Sequence, residues 1–289
     1  KKEENFTNKD LLVSDIAKRE VAAILRCDLS LIISSFEMQL LQNLFQIDKK
    51  LLFHLPFLYD KLKQQETKKW KSFENRNHFI TIGNFLHAPN VDAVLQLKKE
   101  IWPQIIKSLP KAEMHVYGAY PTQQVLQLHN KEDGFLIKGY VEDAVKVVSE
   151  AKVVLAPLRF GAGIKGKLSE AMLYGTPSVT TKIGAEGMHS DLPWNGFVVE
   201  DVNSFVEKAI DLYTNKIVWE DAQKMGVDII NRLYNKELFS ALFLDELEKL
   251  KLNLISHRTE NFIGSLLHHQ TMRSTKYMSK WIEEKNKKN

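Results

Sequence analysis

The segment Leu155-Ala156-Pro157-Leu158-Arg159-Phe160-Gly161-Ala162-Gly163-Ile164-Lys165-Gly166-Lys167-Leu168-Ser169-Glu170-Ala171-Met172-Leu173-Tyr174-Gly175-Thr176-Pro177 decides how this chain is read. An apolar strand runs into a glycine-rich turn, and the turn into a helix. The start of such a helix presents free backbone N–H groups at the positive end of its dipole. Glycines let that backbone approach an anion closely, and Lys165 and Lys167 add positive charge at the same place. A phosphate is the natural guest. Two short motifs compete for the turn. Gly161-x-Gly163-x-x-Gly166 has the spacing of a dinucleotide fingerprint, with Glu186 at about the expected distance. That fingerprint normally opens the first βαβ unit, whereas this turn follows a fourth strand. Gly161-x-x-x-x-Gly166-Lys167 approaches a P-loop, but Leu168 stands where a magnesium-binding hydroxyl belongs.

Outward from the turn the pattern is regular. Strands are expected at His78–Gly83, Glu113–Gly118, Phe135–Gly139, Lys152–Pro157, Ser178–Thr181 and Gly196–Val199. Helices are expected at Val91–Ser108, Thr122–His129, Glu142–Ala151 and Lys165–Tyr174, with Pro103 kinking the first. Alternation of short, near-continuously apolar strands with helices implies an α/β fold, a doubly wound parallel sheet covered on both faces. Further helices follow at Val202–Tyr213, Trp219–Leu233 and Lys236–Leu252.

Before this domain, an amphipathic helix over Asp10–Arg26, a strand over Leu29–Ile33, a helix opened by Ser34-Ser35-Phe36-Glu37 and a strand at Leu51–Leu55 make a segment too short to bury its own core. The expected organisation is therefore 1–58 as the end of another α/β domain, 59–77 as a polar and basic linker, 78–235 as the main domain, and 236–289 as C-terminal helices with a basic tail.

Composition narrows the function. The 289 residues are 44% hydrophobic and 26% charged, which excludes a disordered or fibrous chain. Net charge is +4, yet residues 251–289 hold eight Lys/Arg against three Asp/Glu, so the other residues sum to −1. A neutral body with a basic tail does not suit nucleic-acid binding. No apolar run is long enough to span a membrane. The lone Cys27 excludes an internal disulfide framework and favours the cytoplasm. In the tail, Ile263, Leu266, Leu267, Met278, Trp281 and Ile282 are interleaved with basic residues. The tail is expected to pack back on the domain of which 1–58 is the end, or to fray, with a peripheral contact on an anionic membrane as the alternative. No zinc constellation or Ser–His–Asp arrangement is legible, so no metal site is expected.

The stretch Ala156–Gly187 resembles the donor-binding segment of retaining GT-B glycosyltransferases of the "glycosyl transferases group 1" type. The residues that carry the resemblance are Glu170-Ala171-Met172, Gly175, Pro177 and Val179 after the glycine turn. Upstream they are Ile82-Gly83-Asn84-Phe85, His87, Pro89-Asn90 and Asp92-Ala93, then Lys138-Gly139-Tyr140-Val141; downstream they are Gly184–Met188 and Asn195-Gly196-Phe197. The match covers roughly 78–235. Arg19-Glu20, Arg26–Ser34 and Glu37 are similar to the last helix–strand–helix of the family's acceptor-binding domain, most of which the chain would then lack.

The resemblance implies a GT-B donor domain, Rossmann-like, in an enzyme that moves a sugar from a nucleotide-diphosphate donor to a glycan, lipid or small-molecule acceptor with retention, without a cofactor or a metal. It implies that Glu170 holds the ribose hydroxyls, and that Gly161, Ala162, Gly163, Ile164, Lys165, Gly166 and Lys167 surround the distal phosphate, with Lys165 or Lys167 neutralising it. Lys165 and Glu170 are the residues expected to carry the reaction. Tyr140 and Val141 would line the base, Arg159 would reach the phosphates or pair with an acid on the rim, and Asn84 and His87 would sit at the sheet's carboxyl edge. Asn90 is read as the cap of the following helix. Many family members carry an acid eight residues before the ribose glutamate; here that position is Ala162. A non-catalytic nucleotide-sugar-binding module is the alternative function, and a dinucleotide oxidoreductase a third.

Overall fold

The computed structural model describes residues 7–287, without the side chains of 270–274. The ends of the expected segments 1–58 and 236–289, residues 1–6 and 288–289, lie outside the described residues. Strands are β1 (Ser30–Ile32), β2 (Leu52–His54), β3 (Asn77–Ile82), β4 (Met114–Tyr117), β5 (Phe135–Gly139), β6 (Ala151–Ala156), β7 (Ser178–Thr180) and β8 (Gly196–Val198). The chain divides into two compact units. One is Phe57–Lys236; the other joins the described residues before Phe57 to those from Glu237 onward.

The first unit holds a six-stranded parallel sheet in the order β5-β4-β3-β6-β7-β8. The chain winds outward from β3 to β5, returns to lay β6 beside β3, then winds the other way. Side chains alternate along each strand and feed two cores. Phe79, Val153 and Leu155 face the helices over 88–108 and 202–214. Ile80, Val154 and Ala156 face the helices Gly166–Leu173 and Lys216–Leu233. Burial on both faces is why these strands read as unbroken apolar runs.

The expected helix over Val91–Ser108 begins earlier, at Ala88, and contains a π-turn at Leu97–Ile101. Pro103 supplies no N–H and crowds the carbonyl four residues back, and the wider turn just before it absorbs both effects. The segment 59–77 is not a free linker. Tyr59 donates its N–H to Tyr234 O at 2.8 Å, and Arg76 is wholly buried. Its guanidinium donates to Lys71 O, Ala151 O, Thr176 Oγ1 and Tyr174 O, at 2.6 to 3.3 Å.

In the second unit, β1 and β2 pair in parallel, Ser30 opposite Leu52. The expected helix Asp10–Arg26 is two helices, Asn8–Val13 and Asp15–Arg26, because Ser14 turns extended and accepts the N–H of Ala17 on its Oγ. Residues 237–287 are not a separate appendage: Asp28 pairs bidentately with Arg258 at 2.9 and 2.7 Å, and the Gly264 N–H is held by Asn261, whose amide donates to Leu25 O. Helices Leu254–Glu260 and Phe262–Lys287 follow Lys236–Leu252. The last one continues in backbone through 268–274, where side-chain periodicity breaks. Among the described residues no helix is long and apolar enough to cross a membrane.

Candidate functional site

The reversal of winding places a topological switch point between β3 and β6. Open α/β sheets bind ligands outside the carboxyl ends of their strands at this point. Two loops flank it here: 83–87 after β3, and 157–165 after β6. The second is the glycine-rich turn. Gly161 and Gly163 take φ of +143° and +69°, conformations that residues with a Cβ rarely adopt. The helix Gly166–Leu173 follows without a side-chain cap. Among the described residues, nothing accepts a hydrogen bond from the backbone N–H of Gly161, Ala162, Gly163, Ile164, Gly166 or Lys167. The turn is a string of open donors ending on a helix N-terminus, an arrangement that favours an anion.

Three cations surround it. Arg159 is engaged with Asp92, Nε and Nη2 meeting the carboxylate at 2.9 and 2.5 Å. Of the two roles read from sequence, the structure realises the rim ion pair. Lys165 is buried, and its ammonium donates to Gly163 O at 2.7 Å inside its own turn. Lys167 is half-buried as a residue, but its ammonium lies deep under the β3 loop and donates to Asn90 Oδ1 at 2.6 Å. Burial of that ammonium pushes its pKa down to about 8.

Glu170 lies one turn into the helix. It is half-buried, and no described residue pairs with its carboxylate. Burial holds its pKa above the usual carboxylate value. Its charge reaches the hydroxyls of Tyr59 and Tyr174, and the Tyr174 hydroxyl also feels Asp143 from the loop after β5. Tyr140 is exposed and Val141 half-buried. Tyr59 also meets Ser169, its hydroxyl 3.0 Å from Ser169 Oγ.

On the β3 loop, Asn84 Oδ1 accepts the N–H of Leu86 at 2.8 Å. His87 is exposed and is the residue that precedes the helix Ala88–Gln96, with no side-chain bond to the helix. Asn90 is thus not the cap. It lies inside the first turn, and its side chain ties Lys167 to the β3 loop by donating to Asn84 O at 2.8 Å. Pro89 in the first turn signals the earlier start. The link from Asn90 to Lys167, and the approach of Tyr59 to Glu170, have no signature in sequence because they join residues far apart along the chain. Among the described residues no group of His, Cys, Asp or Glu is placed to hold a metal ion.

This geometry defines a class: a doubly wound domain whose switch point offers open amides, lysines and an unpaired carboxylate. Residues 76–215 match the family described as Glycosyl transferases group 1, and the fold is similar to that of GT-B glycosyltransferases. No curated protein matches the chain significantly. Among solved structures it is similar to S. aureus TarM in complex with fondaparinux, alpha-GlcNAc-glycerol and UDP, at 18% identity and a TM-score of 0.65, over 84% of this chain and 48% of that one. It is similar to the pneumococcal O-GlcNAc transferase GtfA in complex with UDP and GlcNAc, at 16% identity and a TM-score of 0.65, over 82% of this chain and 48% of that one. It is also similar to Anabaena HepE in complex with UDP and glucose, at 15% identity and a TM-score of 0.60, over 85% of this chain and 68% of that one. The chain thus spans about half the length of TarM and GtfA.

Proposed function

We propose that the chain supplies the donor half of a retaining glycosyltransferase, which transfers a sugar from a nucleotide-diphosphate sugar to a glycan, lipid or small-molecule acceptor. The observation that carries this is the set of open amides at Gly161, Ala162, Gly163, Ile164, Gly166 and Lys167, followed one turn later by Glu170, half-buried and unpaired among the described residues. The amides of Gly163, Ile164, Gly166 and Lys167 would receive the distal phosphate, and Lys165 or Lys167 would neutralise it. Glu170 would accept both hydroxyls of the ribose, a vicinal diol that suits a two-oxygen acceptor. Tyr140 and Val141 would flank the base, with Asn84 and His87 at the crevice rim. The UDP named in the TarM, GtfA and HepE structures is consistent with a nucleoside diphosphate as the leaving group.

In this chemistry the bond from the sugar's anomeric carbon to the phosphate oxygen breaks, and the bond to the acceptor oxygen forms on the same face. The acceptor's proton passes to the departing phosphate oxygen. Preorganised amides and an ammonium stabilise the charge that grows on the diphosphate, which is where such a site lowers the barrier. The scheme needs no cofactor beyond the donor.

Ala162 favours one alternative, a module that binds nucleotide sugars without turning them over, because the resemblance puts a sugar-holding acid at that position. The test is release of nucleoside diphosphate from a panel of UDP-, GDP- and ADP-sugars by a protein containing this chain, with and without acceptor. Release that depends on Glu170 supports transfer. Binding without release supports the module. Neither binding nor release refutes both.

A further inference from the structure

We propose that Asn90 is a positioning residue: it holds the Lys167 ammonium across the crevice between β3 and β6, so that Lys167 rather than Lys165 is the cation that meets the donor's diphosphate. This rests on the donor reading above and assigns the work within it. Lys167 belongs to the helix after β6, yet its side chain leaves that element and ends on Asn90, in the first turn of the helix after the β3 loop, with its ammonium beside Gly83. Its ammonium therefore joins the β6 side of the switch point to the β3 side. The bridge is oriented at both ends. The Asn90 amide nitrogen is committed to Asn84 O at 2.8 Å, which turns Oδ1 toward Lys167 at 2.6 Å. Gly83 leaves the room for it: a Cβ there would stand 2.8 Å from the Asn90 amide and 2.9 Å from Lys167 Nζ.

A neutral amide also suits the task. It fixes an ammonium in place without cancelling its charge, as a carboxylate would. Arg159 shows the contrast, because Asp92 already compensates its charge. The Lys165 ammonium is turned back on the carbonyl of Gly163, within the turn itself. Lys167 is thus the cation at the turn that joins both sides of the switch point on a neutral partner. Its burial also gives it a signature, since it loses its proton near pH 8, well below an ordinary lysine.

Calorimetry of UDP, GDP and ADP with the full chain between pH 6.5 and pH 9.5 tests the assignment. Wild type should bind with constant affinity to about pH 8 and then lose about tenfold per pH unit as the ammonium deprotonates. Asn90→Asp, nearly isosteric, should lower affinity at neutral pH by about tenfold and move the break upward by about one pH unit or more, since the new carboxylate both cancels and stabilises the charge. Asn90→Ala should weaken binding and move the break downward. Lys167→Arg should abolish the break over this range. A residue that merely supported the loop would leave the break where it is. The assignment is overturned if Asn90→Asp, folded by its unfolding midpoint, keeps the affinity and the break of wild type, or if the break disappears in Lys165→Arg and survives in Lys167→Arg. Should wild type bind none of the three diphosphates, the donor reading itself fails and this assignment with it. Binding by wild type with silent Asn90 variants sinks only the assignment.

Discussion

Replacing Glu170 by Gln removes one charge from a half-buried carboxylate that has no partner among the described residues, and the consequences for binding and for stability have opposite signs. If the carboxylate receives a ribose diol, two hydrogen bonds to a charged acceptor are weakened. Bonds to charged groups contribute roughly 1.5–3 kcal/mol each, and a neutral amide oxygen retains part of that. The expected loss is about 1.5–3 kcal/mol in all, or about 10- to 100-fold in the dissociation constant of a nucleoside diphosphate. Stability should not fall. The folded-state pKa of Glu170 lies above its unfolded value, so the unfolded chain carries fewer protons in the window between the two. The stabilising contribution of that group is complete below the unfolded pKa and is lost as pH rises through the folded one. At neutral pH the ionised carboxylate therefore works against the fold, and Glu170→Gln should show an unfolding midpoint equal to or above that of wild type. Calorimetry against UDP and GDP, paired with urea unfolding at pH 7, reads both quantities on one preparation. A variant that binds nucleoside diphosphate as tightly as wild type, or that unfolds more easily, would refute the reasoning, the first because no ligand meets the carboxylate, the second because the protein itself needs the charge.

Two further expectations concern the frame around the site. Gly118→Ala would place a Cβ 1.9 Å from the carbonyl oxygen of Gly83, a backbone atom of the β3 loop that cannot yield without moving the crevice; overpacking of this kind should destabilise by about 1–3 kcal/mol in urea unfolding. At the opposite end of the sheet the imidazoles of His78 and His115 stack at 3.9 Å, with His78 Nε2 and His115 Nδ1 buried and unpaired, and burial, reinforced by the neighbouring ring, pushes His78 down to about 4. Because the unfolded chain takes up the proton first, this contribution is complete above the unfolded pKa and is lost as pH falls toward 4; with allowance for partial exposure, stability should drop by roughly 1–2 kcal/mol between pH 7 and pH 5, and less so in His78→Phe.

Much of the unit Phe57–Lys236 was legible in the sequence because its signals are local. The strands expected at His78–Gly83 and Lys152–Pro157 run over Asn77–Ile82 and Ala151–Ala156, a shift of one residue at each end, since unbroken apolar runs bounded by glycine and proline leave little choice. The turn at Gly161–Gly166 was legible for the same reason: left-handed backbone conformations ask for glycine. What escaped reading depends on contacts across the chain. The break at Ser14 rests on one Oγ accepting the Ala17 N–H. The burial of Arg76, in a stretch that reads as a polar linker, rests on carbonyls some 75 to 98 residues away along the chain. Asparagine favours the cap role that the sequence suggests for Asn90, whereas its amide holds a lysine 77 positions away. The Arg159 pairing with Asp92 was one of two readings, and only the fold brings the acid within reach.

The central claim is that the turn after β6 grips a diphosphate through its backbone. Titrating the isotopically labelled chain with UDP, GDP and ADP, and following backbone amide resonances, tests it most directly. The account predicts that the amides of Gly163, Ile164, Gly166 and Lys167 shift first and furthest, in step with one another and with the same apparent affinity. Saturable binding that moves other amides and leaves those four in place would contradict it.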